Sequence, residues 1–200
     1  MNPVFPSRAR RLLAAAFGLF GLLVTTAAPA EFFDGLAPLD PQPSDADLVP
    51  GLAVTYYYAN FRDVANITSK VPGVEGDPIP LLDLLTQHGK VLTSNRPMGV
   101  GAEIRGLINF PEPGTWTLRV KSNDGVKVTV AGIMIHEDPE VHSDSLSSEL
   151  ELAIPSPGWY AFEIDYFQRK GTSALQVFWT PPSGGERVIV PAEAYAHRAP

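Results

Sequence analysis

From Gly51 onward the chain alternates between apolar and polar positions. In AVTYYYAN, Val54, Tyr56 and Tyr58 fall on one face, and in EIRGLINF Ile104, Ile108 and Phe110 do, with Gly106 between them. TWTLRVK sets Trp116, Leu118 and Val120 inward and Thr115, Thr117, Arg119 and Lys121 outward. VKVTVAG continues with Val126, Val128 and Val130, and SELELAI with Leu150, Leu152 and Ile154. WYAFEIDYF gives Tyr160, Phe162, Ile164 and Tyr166, with Glu163 and Asp165 facing water, and ALQVFW gives Leu175, Val177 and Trp179. A period of two, repeated through seven segments, predicts half-buried strands with one wet face. Pro-Glu-Pro-Gly at 111–114, Asn-Asp-Gly at 123–125, Pro-Ser-Pro-Gly at 155–158 and Pro-Pro-Ser-Gly-Gly at 181–185 read as the turns between them. Only IPLLDLLTQHGK, residues 79–90, has leucines near helical spacing, with Gly89 as a stop, and predicts a short helix. The fold class is therefore all-β: an antiparallel β-sandwich or barrel of short strands with at most one short helix.

The first 50 residues follow other rules. Arg8, Arg10 and Arg11 precede an uncharged apolar run from Leu12 to Val24, and Ala28-Pro29-Ala30 offers small residues where a signal peptidase reads. Residues 1–30 are expected to be a signal peptide cleaved after Ala30. The alternative is a retained anchor, for which the run is short against a span of about 20 residues. Arg10-Arg11 suggests a twin-arginine route, but Ala9 and Leu12-Leu13 match that signal poorly. Either way the folded part is expected outside the cytoplasm, in the periplasm or the extracellular space. Residues 31–50, rich in proline and acids, read as a linker or loosely attached arm. That leaves residues 51–198 as the folded domain.

The chain of 200 residues has 44% hydrophobic residues, enough for a real core, and no cysteine, which excludes disulfides and thiolate chemistry. Its net charge of −7 argues against nucleic acid and against membrane contact beyond the leader.

Several segments, taken in order, carry a resemblance. GLAVTYYYANF at 51–61 is similar to an opening Gly-Leu followed by an aromatic pair. GLINFPEPGTWTLRVKSNDGVKVTVAGIMI at 106–135 is similar to a central hairpin with Ser-Asp-Asp-Gly at its tip. SPGWYAFEIDYFQRKGTSALQVFWTPP at 156–182 and VIVPAEAYAH at 188–197 supply the closing strands. Together they resemble the protective-antigen-type β-sandwich, the PA-fourteen domain, over about residues 51–198. The resemblance implies a fold used by cell-wall adhesins, modules inserted in glycoside hydrolases and a toxin pro-segment, some of which bind sugars and others only proteins. Fold alone does not choose among these.

In the sugar-binding members of that family, two adjacent Asp residues at the hairpin hold calcium across a cis peptide, and sugar hydroxyls complete the coordination. Calcium wants 6–8 oxygen ligands and accepts carboxylate, amide and hydroxyl oxygens together. Here the pair is Asn123-Asp124: Asp124 carries over, and Asn123 keeps an oxygen but lacks the charge. The family's second loop has no clear counterpart; the 136–148 stretch, with Glu137, Asp138 and Asp144, is the expected neighbour. The competing reading is a plain turn, because Asn, Asp and Gly all tolerate φ > 0. Trp159, beside Gly158, and Tyr57, on the outward phase of its strand, are the aromatic groups expected at the surface, where they would stack on a sugar. His136 and His142 lie six apart in an acidic stretch, a spacing suited to a solvated loop rather than zinc.

No Gly-x-Ser-x-Gly, His-Glu-x-x-His or phosphate-cradling glycine loop occurs, and Glu149/Glu151 and Glu163/Asp165 are same-face pairs typical of a wet sheet surface. The expectation is an exported, non-catalytic carbohydrate-binding module, with calcium as its one candidate cofactor. Its partner would be a glycan or cell-surface polysaccharide. The alternative is a structural or protein-contact module that meets an envelope protein and has no sugar site.

Overall fold

The computed structural model describes Met1 and residues 29–199. The expected signal peptide lies almost wholly outside the described residues. In chain order the strands are β1 (Glu31–Phe33), β2 (Leu48–Pro50), β3 (Leu52–Tyr57), β4 (Val74–Ile79), β5 (Asp83–Thr86), β6 (Val100–Phe110), β7 (Gly114–Asn123) and β8 (Val126–Val130). They continue as β9 (Ile133–Asp138), β10 (Ser145–Leu146), β11 (Leu150–Ile154), β12 (Gly158–Gln168), β13 (Ser173–Thr180), β14 (Val188–Ile189) and β15 (Tyr195–Arg198). One short helix, α1 (Ile67–Lys70), follows a 3-10 turn capped by Asp63, whose carboxylate accepts from the Ala65 N–H.

Two sheets face each other. One runs β1-β11-β7-β13-β14, with β10 beside β7 and β5 beside β13. The other runs β2-β15-β6-β12-β8-β9, with β3 on β6 and β4 on β3. Every pairing is antiparallel except β1 with β11. The inward phase read from the sequence is the core: Val54, Tyr56, Ile104, Ile108, Leu118, Val128, Leu152, Phe162, Ile164 and Val177 are all buried. Each such side chain contributes on the order of 1.5–3 kcal/mol over leaving it exposed. Phe110 anchors an aromatic cluster, with ring centroids 5.4 Å from Trp116 and 5.4 Å from Tyr160; Trp116 and Trp179 lie 4.6 Å apart.

Three expectations are corrected. Residues 79–90 form β5 and its flanks rather than a helix. Pro78 and Pro80 hold the backbone extended. Leu82 is buried and Leu84 half-buried, while Leu81 and Leu85 are exposed, so the apolar period here is two. β5 pairs with β13, Leu84 opposite Leu175.

Residues 31–50 are not a loose arm. β1 lies along β11, Leu36 is buried in the main core, and β2 pairs with β15. Between them Gln42 brackets the main chain of Trp159, its amide donating to Trp159 O at 3.1 Å and its carbonyl accepting from Trp159 N at 2.7 Å.

The third correction concerns 121–132, which is not a hairpin. β7 and β8 belong to opposite sheets, and residues 123–125 carry the chain across the sandwich. Both strands turn the same phase toward one core, so alternation looks alike for a paired and a facing strand. The true hairpin is β8–β9, turned by Ala131 and Gly132 at φ 50° and 78°, the left-handed pair that a two-residue connection requires.

Candidate functional site

The 123–125 crossing is held from several distant parts of the chain. The Tyr166 hydroxyl donates to Asn123 O at 2.7 Å, and the Asp124 N–H donates to Phe167 O at 3.1 Å. The Phe167 N–H returns a bond to Gly125 O at 3.0 Å. The Arg169 N–H donates to Asp124 Oδ2 at 2.8 Å. Asn123 Nδ2 donates to Asp144 Oδ1 and to Thr172 Oγ1, both at 2.9 Å, and Lys121 Nζ lies 2.9 Å from Asp144 Oδ2. The Asn123–Asp124 peptide is cis, and none of residues 123–125 has positive φ. The turn reading, which rested on φ > 0, is therefore not what the backbone adopts. Gly125 serves close approach instead, because a Cβ there would press on Pro139 O and on the Phe167 ring.

Asn123 and Asp124 are only 5% and 3% exposed. Burial pushes the Asp124 carboxyl above its ordinary range; the Arg169 N–H, with the His142 charge and main chain, opposes that shift. Asp124 has no ion-pair partner among the described residues. Asn123 Oδ1 accepts no hydrogen bond among them. Asp144 is held below the carboxylate range by its bonds from Asn123 and then Lys121.

The available donors are thus an amide oxygen and a desolvated carboxylate, with Asp144 committed to Lys121. All are hard oxygens of the kind calcium accepts, but they fill only a fraction of its 6–8 positions, so the rest would come from main chain, water or ligand. Among the described residues no group of three or more His, Asp or Glu is arranged to hold a metal ion.

The other expected site residues are dispersed. Tyr57 is not wet: it is 8% exposed, packed with Phe61, Val64, Ile67 and Phe167 on the outer side of β3. The alternation was read correctly, but the 59–71 segment folds over that face. The Tyr57 hydroxyl donates to Glu103 Oε2, and this bond, then burial, pushes its pKa up to about 12. Trp159 is half-buried at the start of β12, whereas Phe167, which bonds the crossing, is near its end. Eight residues of strand, roughly 26 Å, separate Trp159 from Asn123-Asp124, so these do not form one site.

Of the 136–148 residues, Asp144 reaches Asn123, while Asp138 faces His142 across 3.3 Å. His136 sits on β9 rather than in a solvated loop, and burial lowers its pKa. Sequence reasoning missed Tyr166, Arg169 and Thr172. They lie more than 40 positions downstream and act partly through main chain, which leaves no local signal.

Solved structures share this fold. The chain resembles the PA14 domain of the MpAFP antifreeze protein at 16% identity, covering 80% of this chain and 96% of that one, with a TM-score of 0.63. Epithelial Adhesin 9 A domain from Candida glabrata, solved in complex with Galb1-3GlcNAc, is 11% identical over 85% of this chain and 97% of that one, TM-score 0.63. A PA14 sugar-binding domain from an RTX adhesin is 19% identical over 74% and 99%, TM-score 0.56. At such identities the likeness is one of fold. No curated protein matches the sequence at a significant level. Among the described residues no helix is long and apolar enough to cross a membrane. The PA14 domain family model matches residues 48–193, beginning with β2 and so taking in part of the presumed arm, and the chain belongs to the PA14 domain family.

Proposed function

We propose that this chain is an exported, non-catalytic carbohydrate-binding module of the adhesion type, and that it takes its glycan at the 123–125 crossing with calcium held by Asn123 and Asp124. The observation that carries the reading is the carboxylate of Asp124: 3% exposed and without an ion pair among the described residues. A buried charge of that kind is costly until a counter-charge or proton reaches it. Calcium beside the Asn123 amide oxygen supplies the counter-charge, and its open positions suit vicinal hydroxyls. Support for a glycan comes from the similar structures, one described as sugar-binding and one holding Galb1-3GlcNAc. Support for export comes from the leader alone, and support for the non-catalytic reading from the lack of any nucleophile–base pattern in the sequence.

A second reading, a protein-contact module of the envelope, is favoured by one fact: the Asp144 carboxylate beside Asn123 is already taken by Lys121 and the Asn123 amide, which leaves Asp124 as the one charged donor at the crossing.

Thermal unfolding with calcium, with chelator and in Asp124→Ala separates the two. At 10 mM calcium, about tenfold above the weakest extracellular sites, a bound ion adds about 1.4 kcal/mol, or roughly 3–5 °C in Tm for a chain this size. The rise is expected in the native chain and absent in Asp124→Ala. No rise in the native chain would leave the crossing a structural connection between the sheets and the second reading in place.

A further inference from the structure

Beside the crossing lies a pocket of about 360 Å³ lined by Tyr58, Ala59, Asn60, Arg96, Met98 and Gly99. Arg96 is its cation. The guanidinium carbon sits 4.4 Å from the centroid of the Tyr58 ring, and Tyr58 stacks on buried Tyr56, centroids 6.2 Å apart. The loop beneath is tied down. Arg96 O accepts from the Val91 N–H at 2.9 Å and from the Ser94 hydroxyl at 3.1 Å, and Thr93 is bonded to the Tyr56 hydroxyl at 2.7 Å. Arg96 is thus held on an aromatic platform at a fixed place, yet among the described residues no carboxylate lies within ion-pair distance of it.

Its surroundings repeat the pattern. Lys70 and Arg169 also lack an ion-pair partner among the described residues. Lys70 reaches into the pocket wall, its Nζ 3.4 Å from Asn60 O. The pocket also joins the crossing through one residue. The Gly99 N–H donates to Arg169 O at 3.2 Å, and the Arg169 N–H donates to Asp124 Oδ2 at 2.8 Å. Backbone dimensions then place the pocket wall and the Asp124 carboxylate within roughly 10 Å of each other. Lys70, Arg96 and Arg169, none with an ion-pair partner among the described residues, thus lie at the end where the ligand is proposed to sit.

We infer that the glycan bound at this end is acidic, a uronate whose carboxylate is received by Arg96 while its hydroxyls face the crossing. This rests on the carbohydrate-binding reading above. Arginine fits the task because its planar fork matches a carboxylate with two parallel hydrogen bonds, and because stacking on Tyr58 already fixes its plane. Asn60 offers an amide to ring hydroxyls, and exposed Met98 offers apolar surface to a sugar face.

The test is calorimetric titration of the whole chain, with and without calcium, against oligogalacturonate, its methyl ester, a neutral galactose oligomer and polyglutamate. Arg96→Gln and Arg96→Lys are measured alongside. The acid is expected to bind at least about tenfold tighter than its ester, as a charge-assisted pair implies, and to weaken with salt. Arg96→Gln should abolish the preference for the acid over the ester measured in the same variant, and Arg96→Lys should fall between. Equal affinity for acid and ester overturns the inference and leaves the carbohydrate-binding reading intact. Polyglutamate binding as tightly as the uronate, or a preference for the acid that survives in Arg96→Gln, as calcium carried by the uronate would give, also overturns it. Binding to none of the sugars overturns both readings.

Discussion

Removing one oxygen from Tyr166 tests whether the crossing is held as described. The Tyr166 side chain is fully buried, its hydroxyl donates to Asn123 O at 2.7 Å, and it sits on β12 opposite Val126, just past the crossing. Tyr166→Phe keeps the ring and its packing but strips the Asn123 carbonyl of that donor. A buried acceptor left without its partner costs about 1–3 kcal/mol; the hydroxyl's own desolvation is no longer incurred, which brings the net loss to about 1–2 kcal/mol. For a domain of this size that is a fall in Tm of roughly 3–6 °C. Thermal unfolding followed by circular dichroism, in chelator so that no metal contributes, gives the number directly. A Tm within a degree of the native chain would refute the reasoning, because the Asn123 carbonyl would then have another partner or reach water.

Two further outcomes follow from the same packing. Gly125→Ala sets a methyl group against Pro139 O and the Phe167 ring; overpacking of this kind costs about 1–3 kcal/mol, and an unchanged Tm would mean that the 139–142 segment does not lie over the crossing. Tyr57, raised to about 12 in the fold by Glu103 against about 10 unfolded, contributes stability that is complete below pH 10 and drains away as pH rises toward 12. Denaturant unfolding should therefore show the native chain losing its advantage over Tyr57→Phe across that window, and parallel curves for the two would show that the Tyr57–Glu103 bond is absent in solution.

Most of the strands could be read from the sequence because a half-buried sheet writes its period directly into the chain: Trp116, Leu118 and Val120, or Tyr160, Phe162 and Ile164, point where alternation says they should. Where reading failed, the cause was tertiary. Leucine spacing at 81–85 fits a helix as well as a short strand, and only pairing with β13 decides between them. Tyr57 lies on the outer face as its phase requires, but alternation says nothing of a loop that later covers that face. Proline made residues 31–50 look like a linker, although Leu36 and Gln42 attach them to the core and to Trp159. At the site, Asn123 and Asp124 were found from their own chemistry. The grouping with Trp159 failed because strand order, not sequence proximity, sets which end of the sandwich a residue occupies. Arg96 gave no signal, since its meaning lies in the absence of a carboxylate nearby.

The position of β15 between β2 and β6 has a consequence for how the protein is made. Residues 195–198 bridge a strand from the first quarter of the chain and one from its middle, Ala196 meeting both Pro50 and Leu107. A nascent chain lacking them can pair β6 with β12 and β3 but leaves β2 without a neighbour and residues 107–108 of β6 open on that side. Such long-range closure makes folding slow relative to local structures of equal stability. Strand β2 can therefore take its place in the sheet only after β15 has emerged, and the sandwich is not closed along that edge until the last strand of the domain has been made.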